Sequence, residues 1–147
     1  MSNGWTITYL PEPETVTYSL GNFLDSIERN GLPQITGDYW RGDGKKIGES
    51  LGLGSFAHHK TTTLEVNYAC AFGQSALNLQ VDYNALVAII DRQFRTKHGR
   101  GLASTIISRN DGHKWKYKTI ARFYREKFAD RLNETFEIPR TISVQKG

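Results

Sequence analysis

The sequence contains few of the residues that build disulfide-stabilised or membrane-spanning proteins. Its single cysteine, Cys70, excludes an intrachain disulfide framework. Apolar runs such as residues 85–90 are far shorter than the roughly 20 residues needed to span a bilayer. Because the N-terminus has no signal-type pattern, we expect a protein of a reducing compartment, which predicts a cytoplasmic location and no membrane partner.

Candidates for catalytic or metal chemistry are also sparse, since the chain has only four histidines. His58 and His59 are adjacent, so their side chains point apart on regular structure, whereas zinc-binding helices space their ligands four residues apart. Asp111 and His113 would suit an acid–base pair, but Asn-Asp-Gly at 110–112 is ordinary turn chemistry. We favour the turn and expect no metal site, no catalytic residue and no enzyme.

A glycine-rich stretch, residues 36–63, invites comparison with a phosphate-binding loop. Gly37 and Gly42 have the required spacing, but Asp43 follows where the motif needs a lysine. An acidic side chain at this position would repel a triphosphate. We therefore expect turns and short extended pieces here, and no nucleotide cofactor.

The charge of the chain is unevenly distributed, although the net charge is only +4. Residues 1–90 hold five Lys/Arg against nine Asp/Glu, and residues 91–131 hold twelve against four. Such asymmetry makes a polyanion or an acidic protein surface a candidate partner. The simpler interpretation, a solvated basic helix face, stays open at this point.

Apolar periodicity predicts a mostly helical chain. Ser19 and Asp82 are the expected N-caps of two helices, and Asn30-Gly31 is the expected stop of the first. Cys70 is expected to be a small buried side chain. The predicted helices number four or five and cover about residues 20–29, 83–95, 102–109 and 117–132. Residues 61–66 have strand character. If the following segment within 64–79 is helical, Ala69, Phe72, Ala76 and Leu79 share a stripe and Gly73 allows a neighbouring helix to approach closely.

The two ends of the chain have strand character. Residues 5–10 are β-branched and aromatic and should end at Pro11 and Pro13, residues 16–18 give a second extended piece, and the tail 136–144 is apolar enough to pair with the N-terminal segment. At 147 residues the chain is expected to form one domain, 1–147. The predicted class is α+β, predominantly helical, with a small sheet from the terminal segments.

The segment 108–121 joins two of the predicted helices. If Lys116 is the N-cap of the second helix, Trp115 and Ile120 take the positions of a hydrophobic staple, which fixes how the chain enters the helix. A lysine is an unfavourable cap, because Ser, Thr, Asp or Asn would bond the free N–H groups and the helix dipole disfavours a cation there. Lys116 therefore suggests selection for contact.

A basic surface formed by residues 91–131 is the strongest candidate for function. Cations neutralise phosphates, and interleaved aromatic side chains such as Trp115 and Tyr117 can stack on bases. The pair of helices around 110–116 is similar to part of a helix-turn-helix, but an acidic, proline-broken stretch follows where a further helix is needed. The predicted contact residues are Arg95, Lys97, Arg100, Lys114, Lys116 and Arg122.

Two segments, residues 69–77 and residues 107–121, resemble small uncharacterised proteins encoded by phages and bacteria. Those proteins carry a Cys-Ala-Leu-Gly-like helix and an Asn-Asp turn before a Trp-Ser-x-x-x-Ile-Ala helix start. This chain departs at Phe72, where leucine is usual, and at Lys116, where Ser or Thr is usual. The resemblance implies a small helical fold and fits a phage origin, hence the host cytoplasm, and it implies no activity.

The sequence therefore predicts a non-enzymatic phage-type accessory protein that acts by binding nucleic acid or an acidic partner through residues 91–131. The alternative is a protein–protein interaction protein, either a virion component or an inhibitor of a host enzyme or defence system, which would use apolar surface matching instead of charge.

Overall fold

The computed structural model describes residues 4–29, 31–42, 45–46 and 63–146. Over these ranges the chain forms five α-helices and six β-strands, which confirms the predicted α+β class. The strands are β1 (Trp5–Ser19), β2 (Trp40–Gly42), β3 (Lys45–Lys46), β4 (Thr63–Val66), β5 (Tyr68–Ala69) and β6 (Thr135–Gln145). The helices are α1 (Leu20–Glu28), α2 (Ala71–Leu79), α3 (Tyr83–Gln93), α4 (Leu102–Asp111) and α5 (Tyr117–Lys127), and a 3-10 turn covers Ala129–Arg131.

The larger sheet has the strand order β4-β1-β6, all antiparallel, so the two terminal segments pair as predicted. The expectation that Pro11 and Pro13 end the first strand is wrong. Between Tyr9 and Glu14 the register against β6 shifts, and both prolines lie in this irregular part of β1. A bulge tolerates proline because its residues need not donate to the ladder.

Helix α1 begins where the sequence predicts. The Asn22 N–H donates to Ser19 Oγ and the Ser19 N–H donates to Asn22 Oδ1, which forms a complete capping box. The apolar stripe of α1, which includes Phe23 and Ile27, is buried against α2 and α5. This packing fixes the position of α5 relative to the centre of the molecule.

Helix α2 is the central helix, and all its residues except Asn78 are buried. It begins at Ala71 because the Cys70 side chain caps it, so Ala69 belongs to β5 and not to the predicted helical stripe. The sequence suggested that Gly73 admits a neighbouring helix, but the backbone of Tyr39 approaches instead. A Cβ at this glycine would lie 2.1 Å from the Tyr39 carbonyl oxygen.

Helices α3, α4 and α5 carry the basic segment. Asp91 in α3 accepts hydrogen bonds from the N–H and hydroxyl of Ser104, so a carboxylate from a neighbouring helix caps α4. Helix α5 leads back towards the end of α3, where the rings of Phe94 and Phe128 lie 6.4 Å apart. The predicted helix 117–132 ends earlier, at Lys127, and continues as the 3-10 turn.

Four residues on which the sequence predictions depend lie outside the described residues: Asn30 of the expected helix stop, Asp43, His58 and His59. None of the helices in the described ranges is long and apolar enough to cross a membrane.

Candidate functional site

Asn110, at the end of α4, is the centre of a buried hydrogen-bond network. Its side chain is 1% exposed. Oδ1 accepts from Gln34 Nε2 at 2.7 Å and from the Ala71 N–H at 2.9 Å, and Nδ2 donates to the Ile35 carbonyl at 2.9 Å and to Asp111 Oδ1 at 2.7 Å. One side chain thus ties α4 to the start of α2 and to the loop before β2.

Gln34 extends this network to α5. Its Nε2 donates to the Trp115 carbonyl at 2.6 Å and its Oε1 accepts from the Tyr117 N–H at 2.9 Å. The Tyr117 hydroxyl donates to the Ala69 carbonyl at 2.6 Å. The connection between α4 and α5 is therefore held from inside the molecule.

Asp111 and His113 are engaged separately within this connection. Asp111 Oδ1 accepts from the Gly37 N–H at 3.1 Å, while His113 Nδ1 lies 3.4 Å from the Ser108 carbonyl oxygen. These contacts place the carboxylate and the imidazole as turn-stabilising groups. The proposed acid–base pair gains no support from the geometry.

Most cations of residues 91–131 have no anionic partner among the described residues. Arg125 pairs with Asp25 and Glu28 of α1, and Arg131 pairs with Glu134. The other ten of the twelve have no ion pair with any described residue, and nine of them are exposed. Those nine are Arg92, Arg95, Lys97, Arg100, Lys114, Lys116, Lys118, Arg122 and Lys127.

All six predicted contact residues are among these exposed cations, but they do not form one compact cluster. Arg95, Lys97 and Arg100 lie in the loop between α3 and α4, and Lys114 and Lys116 lie beyond the other end of α4. The ten residues of α4 separate the two groups by about 15 Å. Arg122 lies on α5, which leads back from the second group towards the first.

The loop between α3 and α4 is closed by hydrogen bonds among its own residues. The Thr96 N–H donates to the Arg100 carbonyl at 2.7 Å, the Gly99 N–H donates to the Thr96 carbonyl at 2.9 Å, and the Arg95 guanidinium donates to the Gly99 carbonyl. Its cations are consequently carried by a hydrogen-bonded turn, with a positive φ of 82° at Gly99.

Four residues form a cation–aromatic cluster that we call the Trp115 face: Arg109 of α4, Trp115 of the connection, and Phe123 and Lys127 of α5. The rings of Trp115 and Phe123 meet edge to face at 5.1 Å, and the Arg109 guanidinium carbon lies 4.6 Å from the centre of the Trp115 ring. Lys127 Nζ lies 5.3 Å from the Phe123 ring. The staple of Trp115 with Ile120 stays a prediction, although Ile120 is fully buried.

The Trp115 face was only partly visible in the sequence. Phe123 and Lys127 are four residues apart on α5, a spacing that brings side chains together on a helix. The approach of Arg109 to Trp115 depends on the turn between the helices, which sequence periodicity does not predict. Arg109, Phe123 and Lys127 are therefore absent from the predicted contact residues.

Two lysines of the connection occupy positions where the backbone favours other residues. Lys114 has a φ of 56°, in the left-handed region that glycine or asparagine adopts most readily. Lys116 is the N-cap of α5, as predicted, and makes no side-chain capping bond. Both side chains are exposed, so packing does not account for either lysine.

A cleft of about 290 Å³ lies near the buried network and is lined by Gly37, Asp38, Tyr39, Cys70, Tyr83 and Asp111. Tyr39 and Tyr83 stack at 4.0 Å between ring centres. Burial raises the pKa of the Cys70 thiol to about 12, and its sulfur accepts from the Gly73 N–H at 3.2 Å. A protonated, buried thiol that caps a helix is a structural group and not a nucleophile.

We found no match to this chain among protein-family models, curated proteins or solved structures. No cluster of three or more His, Cys, Asp or Glu side chains suited to a metal ion occurs within the part of the chain that the structure describes.

Proposed function

We propose that the protein is a non-enzymatic accessory protein, of phage type, that binds nucleic acid through the α4–α5 side of the molecule. The observation that carries this proposal is the set of ten cations in residues 91–131 without an ion pair among the described residues. Isolated exposed cations are common on protein surfaces. A concentration of this size, with two lysines at locally unfavourable positions, favours a polyanionic partner.

Nucleic acid is favoured over an acidic protein because of how the cations are distributed. They extend from the loop between α3 and α4, along the pair of helices, to the connection at 112–116. A phosphodiester chain offers regularly repeated charges over such a length. Partly exposed aromatic side chains next to the cations, as at Trp115, are typical of surfaces that bind single strands.

The proposal is tested by the salt dependence of binding. Fluorescence anisotropy with a labelled single strand of about 20 nucleotides, in DNA and RNA forms, and with the corresponding duplex would give the affinity at each salt concentration. If the six predicted cations each contact a phosphate, log K against log salt should have a slope of about −4 for single strands.

A charge-matched pair of variants assigns the slope to this surface. Lys97→Gln with Arg100→Gln removes two exposed cations from the loop, and Arg29→Gln with Lys146→Gln removes two exposed cations elsewhere. The first pair should reduce the magnitude of the slope by about 1.4, and the second should leave it unchanged. Absence of binding at low salt would contradict nucleic-acid binding, and equal effects of the two pairs would place the contact elsewhere.

A further inference from the structure

Half-buried arginines in this protein have a consistent pattern with one exception. Five arginines in the described ranges are half-buried: Arg41, Arg109, Arg125, Arg131 and Arg140. Four of them bond a carboxylate: Arg41 bonds Asp38, Arg125 bonds Asp25, Arg131 bonds Glu134 and Arg140 bonds Glu14. Arg109 has no carboxylate partner and no side-chain hydrogen bond to any described residue.

Aromatic rings hold the Arg109 guanidinium in place of a carboxylate. Its carbon lies 4.6 Å from the centre of the Trp115 ring and 5.7 Å from that of Phe123. Phe123 in turn meets Tyr124 at 5.0 Å, and Tyr124 is buried in the core. The cluster is thus anchored to the interior, which limits the motion of the guanidinium before any ligand arrives.

The Arg109 guanidinium lies over the Trp115 ring and makes no hydrogen bond to any described residue, so its N–H donors are available to a ligand. Arginine offers five donors in a planar fork that matches two oxygens of a phosphate, and stacking uses the face of the group, not its edge. Lys127 lies over the same Phe123 ring at 5.3 Å, and the exposed Lys116 follows Trp115 in the chain, so further positive charge accompanies the cluster. A preordered donor set loses less conformational freedom on binding than a lysine in solvent.

The geometry points to Arg109 as the residue that anchors one phosphate of a bound nucleic acid by a bidentate contact, with the surrounding cations adding only charge. This inference rests on the proposed function. It means that the cations do not contribute equally to binding. Charge alone predicts that every arginine-to-lysine change is silent. A guanidinium fork held by aromatic rings predicts that one such change, Arg109→Lys, weakens binding.

The test compares Arg109→Lys with Arg122→Lys, the same chemical change at an exposed arginine of α5. Binding to a labelled single-stranded DNA of about 20 nucleotides would be measured over the same salt series. Arg109→Lys should weaken binding about tenfold with an unchanged salt slope, because the charge is kept and the fork is lost. Arg122→Lys should change the affinity by less than about twofold.

The outcomes separate the inference from the function. If the wild-type protein binds with a steep salt slope and the two variants behave alike, the anchor at Arg109 is refuted and nucleic-acid binding stands. If the wild-type protein does not bind at low salt, both are refuted. Urea unfolding of Arg109→Lys serves as the folding control and should match that of Arg122→Lys.

Discussion

Arg109 and Asn110 are neighbours on α4 and have opposite environments. Asn110 is buried and makes four hydrogen bonds, three of them to distant segments of the chain and one to the neighbouring Asp111. Arg109 is half-buried on rings and makes no side-chain hydrogen bond within the described chain. A polar group that is fully satisfied inside the molecule serves the fold, whereas a held but unsatisfied group is available to a ligand.

The largest expected effect is on the structural side of this comparison. Asn110→Ala removes four hydrogen bonds and leaves the Ala71 N–H, the Ile35 carbonyl and Gln34 Nε2 short of a buried partner. We expect the free energy of unfolding to fall by about 3 kcal/mol, since each buried group without a partner is costly. Urea titration measures this, and a loss below about 1 kcal/mol would show that the network is redundant.

Alkaline pH should lower the stability of the same buried region. Burial raises the pKa of Cys70 and of Tyr39 to about 12 each, and it raises the pKa of Tyr83 and Tyr117 further. Between about pH 9 and 12 the unfolded chain therefore releases protons that the folded chain keeps, so stability falls as pH rises.

The urea midpoint at about pH 7 and pH 10 measures this decline. Tyr117→Phe removes one of the buried hydroxyls and should flatten the decline, while it also lowers stability at neutral pH through the lost bond to the Ala69 carbonyl. A midpoint that is independent of pH over this range would contradict the burial of these groups.

The smallest expected effect concerns the two exposed lysines of the connection, and it is opposite in sign for stability and for binding. Lys114→Gly with Lys116→Ser replaces a left-handed lysine and supplies the missing cap of α5. Stability should rise by about 1 kcal/mol, while the magnitude of the salt slope of binding falls by about 1.4.

Lys118→Gln is the control, because it removes an exposed charge near the start of α5 without changing the cap. It should lower binding slightly and leave stability nearly unchanged. If the double variant is no more stable than this control, the two lysines are not locally unfavourable, and that support for selected contact is lost.

Much of the fold could be predicted from local patterns. Ser19 and Asp82 cap the helices they were assigned to, and the two terminal segments pair, because capping and alternation are local properties. The strand end at Pro11 was wrong because a bulge depends on the partner strand, which local sequence does not describe. The contact at Gly73 was misassigned to a helix for the same reason: the group that approaches comes from a distant segment.

For the candidate site, the sequence predicted the positive charge but not which side chains contact one another. Composition identified the basic segment, and the structure places the six predicted cations on the surface. Asn110 looked like an ordinary turn residue because its partners lie more than 30 residues away. Arg109 looked like any other basic residue because its ring contacts appear only after the turn brings α5 against α4.

The most direct measurement determines both stability and affinity for two variants of these neighbouring residues, under conditions in which both proteins are folded. Arg109→Lys should leave the free energy of unfolding within about 0.5 kcal/mol of wild type and weaken nucleic-acid binding about tenfold. Asn110→Ala should lower the free energy of unfolding by about 3 kcal/mol and leave the affinity of the folded protein nearly unchanged. The opposite pattern, or loss of both properties in each variant, would contradict the separation of structure and binding on α4.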